Sequence, residues 1–352
     1  GGLYSRYIGD HFGNLLWGQT IGDTQPNHRF YESQGIKTEG SFFAKATQKL
    51  TSKLTGFLDL QFRGIDYNVD GTVSGPQDFS VDDQFAFFNP KAGLTFMLSQ
   101  KQNLYFSYAK AQREPNRTDY ENGSPKPEKL NDFELGWRMK KEKIQAQANL
   151  YWMEYQDQLV LTGAIDEVGA PIRQNVGKSR RVGIEIEATI QLADQWLFKP
   201  NLAVSSNQNL DFYFKRDGIL QSLGKTQLAY SPNIVGGNAL VYAPSTHFQV
   251  GLLSKYVGKQ YMGNINSENS SLPSYFISDI NAVFSWQPKK WVKEIQWSTT
   301  INNIFNLKYL SNGYFYTYDD DWTSPGQTTT IEGAGYYPQA GLHFLSGLKL
   351  IF

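Results

Sequence analysis

Hydrophobic residues recur at every second position in segment after segment of this chain. In Val182-Gly183-Ile184-Glu185-Ile186-Glu187-Ala188-Thr189-Ile190 the even positions are Val, Ile, Ile, Ala and Ile, and the odd ones are Gly, Glu, Glu and Thr. From Asp132 to Met139, the face Phe133, Leu135, Trp137, Met139 alternates with Asp132, Glu134, Gly136, Arg138. Ala146, Ala148, Leu150 and Trp152 stand opposite Gln145, Gln147, Asn149 and Tyr151, and Leu58, Leu60 and Phe62 stand opposite Asp59, Gln61 and Arg63. A period of two is that of a β-strand with two unlike faces, not the roughly 3.6-residue period of an amphipathic helix. The segments are rich in Tyr, Phe, Thr and Val and are cut by Gly and Pro, which weighs further against helices. About fourteen strands fit the pattern, and their length of about nine to eleven residues is what a tilted strand needs to cross a bilayer.

The connections between these segments alternate in length. Short ones fall at 51–53, 99–102, 140–143, 192–195 and 243–245, with a slightly longer one at 287–294. Long ones fall at 9–39, 67–87, 111–130, 156–179, 207–232, 258–274 and 305–340. A soluble β-sandwich has no reason to put every long loop on one side, whereas outer-membrane barrels have tight periplasmic turns and long external loops. The predicted fold is therefore all-β, an antiparallel transmembrane β-barrel. Its apolar faces look to lipid and its polar faces to the lumen, and Gly1 and Phe352 lie on the periplasmic side. A β-propeller would repeat about every 40–50 residues, and no such self-similarity is present.

Composition agrees. The 33 Lys+Arg balance 33 Asp+Glu, so nothing in the charge calls for nucleic acid. With no Cys and four scattered His (11, 28, 247, 343), neither a metal centre nor a resident cofactor is expected. No Gly-x-Ser-x-Gly elbow, phosphate-cradling glycine loop or zinc-spaced His pair marks an enzyme. Trp137, Trp152, Tyr155, Trp196, Tyr242, Tyr256, Trp286 and Trp297 sit at or near strand ends, as interfacial aromatic girdles do, although Tyr and Trp also favour strands in general. The chain opens Gly1-Gly2-Leu3-Tyr4-Ser5, already inside a strand, and reads as a piece of a longer one.

Four stretches carry a family resemblance. Leu104 to Tyr120 resembles the C-terminal barrel of TonB-dependent outer-membrane receptors. Pro127-Glu128 through Glu134-Leu135-Gly136 looks like that family's P-E-x-x-x-x-x-E-x-G pattern, and Val182-Gly183-Ile184-Glu185 its x-x-G-x-E strand. Asn303-Ile304-Phe305-Asn306-Leu307-Lys308-Tyr309 is similar to its N-L-F-[DN]-x-x-Y turn. The resemblance implies that residues 1–352 supply about 14 strands of a barrel of about 22, with the plug domain and first strands outside this chain. It also implies a bacterial outer-membrane, multi-pass location. The implied partners are the TonB complex acting through the plug region, the plug itself, the assembly machinery, the bilayer with its lipopolysaccharide, and a small-molecule metal chelate.

Candidate sites follow. Arg113, Glu114, Asn116, Arg117, Asp119 and Tyr120 crowd the start of a long connection, where Arg forks suit carboxylate, catecholate or phosphate oxygens. The plainer reading is a solvated loop whose charges pair with one another. Tyr314, Tyr316 and Trp322 lie on an aromatic-rich connection that offers contact area at low entropic cost, or else packs on itself. Asp319-Asp320-Asp321 could contribute to a cation site, though consecutive residues rarely converge on one ion. Arg63, Glu134, Arg138, Glu185 and Glu187 face the lumen, where the resemblance implies contact with a plug. Gly347, Leu350 and Phe352 are similar to the terminal signal read by the outer-membrane assembly machinery. The function implied is TonB-energised import of a ferric siderophore or similar iron chelate. Import of cobalamin or haem stays open, as does a passive pore or binding barrel if this chain is the whole mature protein.

Overall fold

The computed structural model describes every residue except 23, 26, 74–76, 166–168, 170 and 289–290. Strand makes up 74% of it, which leaves a helical architecture no room. The chain divides into two compact units: residues 1–94, 107–132 and 154–179 in one, and 95–106, 133–153 and 180–352 in the other.

The first unit holds β1 (Gly2–Asn14), β2 (Arg29–Lys49) and β3 (Leu54–Val73), with most of β4 (Gln77–Ser99). It also contains the outer ends of β5 (Gln102–Arg113), β6 (Glu128–Lys140), β7 (Ile144–Ile165) and β8 (Pro171–Ala193), and the short helix α1 (Arg117–Glu121). β1, β2 and β3 pair antiparallel, with Tyr7 opposite Lys37, Lys37 opposite Tyr67, and Ser41 opposite Arg63. The turn from β2 to β3 is set by Thr51, whose hydroxyl accepts from the amides of Lys53 (3.2 Å) and Leu54 (3.0 Å), a local alternative to ladder pairing. Phe42, Leu58, Leu60 and Phe62 on one face are exposed, while Ile65 and Val69 on the other are buried. The small core of this unit, Val69, Phe79 and Val81 with Tyr67, Val73 and Tyr120 against it, lies on that second face.

The second unit contains the remaining lengths of β4 to β8 and all of β9 (Trp196–Arg216), β10 (Ile219–Gln227), β11 (Ile234–Ser245), β12 (Phe248–Val257), β13 (Gln260–Tyr261), β14 (Ser271–Leu272), β15 (Tyr275–Trp286), β16 (Glu294–Asn302), β17 (Leu310–Asp320), β18 (Thr329–Pro338) and β19 (His343–Ile351). β9 is long enough to pair twice. Residues 196–204 match β11, and 208–216 match β10 through an Asp217-Gly218 turn with both residues at positive φ, the hairpin geometry that favours this dipeptide. From β11 the ladder runs through β12, β15 and β16 to β19, where Gly347 faces Ser298 and Leu350 faces Ile295. β17 and β18 form a separate hairpin between β16 and β19.

Five strands among the described residues (β10, β13, β14, β17, β18) lie inside long connections, and fourteen carry the main alternation. The short turns fall where the sequence puts them, except that the one expected at 243–245 lies at 246–247, because β11 continues to Ser245. The long connections differ from expectation: most are continuations of their flanking strands. β2, β3, β4, β7, β8 and β9 run to between 20 and 23 residues, about twice the predicted length. Outside the lipid zone one face no longer has to be apolar, so the ladder continues while the period-two signal fades.

Large apolar side chains are exposed on strand interiors, among them Phe133, Leu135, Leu150, Trp152, Ile186, Leu202 and Leu348. This is the inverse of a soluble protein, where contiguous apolar surface is scarce. It fits strands whose solvent on that face is lipid.

Candidate functional site

In the first unit the connection from β5 to β6 folds back onto the face of β2–β4 that carries polar and core residues. Arg63 on β3 is the anchor. Its Nε and Nη2 donate to Glu39 on β2 (2.6 and 3.1 Å), and its Nη1 and Nη2 donate to the two oxygens of Glu114 (3.0 Å each). Lys37 Nζ donates to the same Glu114 carboxylate and lies 4.0 Å from Glu39. Burial alone would raise the Glu114 carboxyl, but hydrogen bonds from Lys37 and Arg63 and from its own backbone hold it below the ordinary value of 4.5.

The rest of the connection is built from local capping. Asn116 is the N-cap of α1: its side chain accepts from the Asp119 amide, and the Asp119 carboxylate accepts from the Asn116 amide, at 3.1 and 2.9 Å. Arg117 pairs with Glu121 at 2.8 Å and sits over the Phe79 ring, 5.0 Å from its centroid. Tyr120 donates to Asp83 at 2.5 Å, with its ring 5.8 Å from that of Tyr67. Burial, then the Asp83 carboxylate, push its hydroxyl far above the ordinary phenol value of 10.0. Arg113 pairs with Glu128 at 2.6 Å, and Glu128 also accepts from the Leu159 amide at 2.7 Å. The six residues predicted here are thus brought together, and most of their polar groups are engaged with one another and with the strands beneath, as in the plainer of the two sequence readings, while the buried Nη1 of Arg117 has no hydrogen-bond partner among the described residues. Lys37, Glu39 and Asp83, which complete the cluster, carry no local sequence signal, and Glu128 stands out only as part of the Pro127-Glu128 pattern; register and chain reversal bring them in.

In the second unit three connections meet at Glu332 on β18. It accepts from Arg216 at the tip of β9 (2.7 Å), from Asn269 (3.1 Å) and from Ser267. Thr330 and Asp217 bond reciprocally, the Asp217 amide donating to the threonine hydroxyl (2.7 Å) and the Thr330 amide to the aspartate (2.8 Å). Burial would raise the Glu332 carboxyl, but the bonds from Ser267, Arg216 and Asn269 bring it below 4.5.

On this base β17 and Trp322 just beyond it present aromatic rings in a row. Tyr314, Tyr316, Tyr318 and Trp322 have centroids 6.2, 6.4 and 5.9 Å apart and planes within 18° of each other. A Cβ on Gly335 or Gly333 of β18 would collide with Tyr314 or Tyr316, so glycine there lets the rings lie against the sheet. Tyr314, Tyr318 and Trp322 are exposed. Asp319 accepts from Thr330 (2.9 Å), and Asp320 accepts from the amides of Trp322 (3.3 Å) and Thr323 (3.0 Å). Among the described residues no group of three acidic or histidine side chains gathers as a metal site.

The remaining predicted side chains alternate with the exposed apolar ones. Arg138 stands over the Tyr105 ring at 4.4 Å, Tyr105 donates to Asn149 at 2.9 Å, and Gln147 donates to Glu187 at 2.6 Å. Arg138 and Glu187 line a depression of about 510 Å³, and Glu185 lines a neighbouring one of about 240 Å³. Glu134 shares the face of Arg138. Phe352 follows β19, its carbonyl accepting from Lys293 at 2.8 Å.

Antiparallel strands with one exposed apolar face and one ion-paired face, joined by tight turns and long connections in alternation, define a transmembrane β-barrel. Residues 1–307 match the family described as TonB dependent receptor-like, beta-barrel, and the chain belongs to that family. Over 287 residues it is 21% identical to the catecholate siderophore receptor Fiu of Escherichia coli K12, covering 73% of this chain and 32% of the relative. The chain therefore spans about a third of the length of this curated relative. Crystal structures share the fold. That of the ferric-catecholate import receptor Fiu in its closed form aligns with TM-score 0.68 and 15% identity over 99% of this chain and 51% of Fiu. The siderophore receptor PiuA from Acinetobacter baumannii gives 0.66 and 17% over 91% and 44%. The unliganded ferric citrate transporter FecA gives 0.65 and 15% over 98% and 52%. The family is one of receptors and transporters rather than enzymes, and its barrels are outer-membrane proteins.

Proposed function

We propose that this chain is the C-terminal barrel portion of a bacterial outer-membrane receptor that imports a ferric siderophore or similar iron chelate. The family match over residues 1–307 carries this reading. The relatives support it, being receptors for ferric catecholates and ferric citrate by name. TonB supplies the energy through a plug domain contributed by the rest of the full-length protein. The 51% and 52% of Fiu and FecA that align leave length for such a plug and further strands. The chelate meets the long connections, with Arg113 to Tyr120 and the Tyr314–Tyr316–Trp322 row as contact surfaces, while Arg63, Glu134, Arg138, Glu185 and Glu187 face the plug. Gly347, Leu350 and Phe352 serve as the assembly signal on the last strand. No covalent chemistry is involved.

The test is a titration of the purified full-length receptor with ferric catecholate, ferric citrate, haem and cyanocobalamin, read by quenching of tryptophan fluorescence. Saturable quenching by an iron chelate at micromolar or lower concentration is expected. Quenching by haem or cobalamin alone would move the assignment to those ligands.

A further inference from the structure

We propose that Lys37 and Arg63 form an anion-binding subsite, and that the Glu114 carboxylate fills it as an internal stand-in which an anionic ligand must displace. Arg63 is the centre of the subsite. Glu39 holds its Nε and Nη2 at 2.6 and 3.1 Å, fixing the plane of the guanidinium from one edge. The other edge then points two N–H groups at a single carboxylate, that of Glu114, at 3.0 Å each. This is the fork geometry in which Arg recognises carboxylate or phosphate. Lys37 adds a third donor to the same carboxylate.

The anchors of this subsite do not depend on its occupant. Lys37, Glu39 and Arg63 stand on the paired strands β2 and β3, whereas Glu114 stands on the connection that follows β5. When Glu114 leaves, Glu39 still orients Arg63, and the two cations outnumber the one remaining carboxylate. What is left is a preorganised site with an excess positive charge, suited to a carboxylate, phosphate or catecholate oxygen pair. The Glu114 side chain is only 9% exposed, so an external anion reaches the cations only as the connection lifts. That motion also draws on the Tyr120–Asp83 bond and the packing of Tyr120 on Tyr67. An internal competitor lowers apparent affinity by the fraction of time it occupies the site. It would also couple anion binding to release of the α1 connection.

The nature of the imported ligand rests on the reading above, but the subsite itself does not, and the experiment separates the two. Citrate without iron and inorganic phosphate are titrated into the full-length receptor in micelles, as wild type, Glu114→Gln, Glu114→Ala and Glu114→Gln with Arg63→Met. Both single variants are expected to bind citrate about tenfold tighter than wild type, and the double variant is expected to lose that gain. Hydrogen exchange at residues 115–123 should rise in the single variants, and in the wild type once citrate saturates. Binding that is no tighter in either single variant, or a gain that survives Arg63→Met, would overturn the proposal. Ferric chelates are titrated alongside. If they bind while the Glu114 variants leave anion affinity unchanged, the stand-in is wrong and the import reading survives. If the citrate gain appears but no ferric chelate binds, the subsite stands and the import reading fails.

Discussion

The ring of Tyr105 on β5 lies against Gly136 on β6 so closely that a Cβ on the glycine would come within 2.0 Å of a ring carbon. Tyr105 cannot simply swing away, because its hydroxyl holds Asn149 at 2.9 Å and Arg138 covers its ring at 4.4 Å. Tyr151 stands in the same relation to Gly183, where a Cβ would come within 2.6 Å of the phenol oxygen. Both glycines belong to the sequence patterns that carried the family resemblance, and the rings supply a physical reason for them: only glycine lets a tyrosine cross the neighbouring strand here.

Gly136→Ala should therefore displace Tyr105, break its bond to Asn149 and destabilise the barrel by about 1–3 kcal/mol, the usual range for overpacking. Urea unfolding of the full-length protein in lipid vesicles measures this. In a Tyr105→Ala background the same glycine substitution should cost much less, since the clash is then gone. An alanine variant as stable as wild type would show that the ring does not depend on the glycine.

Replacing Arg63 by Lys keeps the charge and loses the fork. One ammonium cannot hold Glu39 and Glu114 in two bidentate contacts, so the connection carrying α1 should loosen while β2 and β3 remain paired. Hydrogen exchange at residues 115–123 is expected to quicken by about tenfold, equivalent to about 1.4 kcal/mol of local opening. The β2–β3 ladder should be unchanged. Equal protection in the variant would mean that capping by Asn116 and packing of Tyr120 suffice.

Glu332 joins three connections, and Glu332→Ala removes the acceptor for Arg216, Ser267 and Asn269 together. The tip of β9 should still be held to β18 by the Asp217–Thr330 pair, so the expected effect is partial. Exchange should rise around residues 265–270, with a smaller rise at 215–218. Global unfolding should shift by no more than about 1–3 kcal/mol, the cost of unmade buried hydrogen bonds.

Acid should act on both clusters in the same direction. Glu114, facing Lys37, Arg63 and Glu39, and Glu332, facing Arg216, Ser267 and Asn269, both titrate below 4.5 in the folded protein. A carboxyl with a depressed folded pKa contributes stability that is present above its unfolded value and lost as pH falls through its folded value. Order in the two connections should thus be flat from about pH 7 to about pH 5 and decline below 4.5. Exchange at 115–123 and 265–270 across that range reads it. Loosening that begins well above pH 5 would point to a different group.

The sequence made the membrane strands legible because lipid forces one face to be apolar. The pattern in Val182–Ile190 therefore survives without knowledge of any neighbour. The outer halves of β7, β8 and β9 were not legible in this way. Their faces meet water or each other, and Asn207 and Asn209 on β9 are buried, with Thr226 on β10, by pairing between strands rather than by hydrophobic periodicity. The candidate site was half legible. Arg113 to Tyr120 stand out as a run of charges, but their partners are fixed by register: Lys37 and Arg63 share a face only because Ser41 pairs with Arg63 and Lys37 with Tyr67. Asp83 and Glu128 enter only when the chain turns back through α1.

Uptake of radioactive iron measures energised import of an iron chelate most directly. Cells lacking their own receptors and expressing the full-length protein are given iron-55 as ferric catecholate or ferric citrate, with TonB present or deleted. The account predicts saturable uptake with TonB and only surface binding without it. Equal accumulation in both strains, growing linearly with concentration, would contradict it and mark a passive pore.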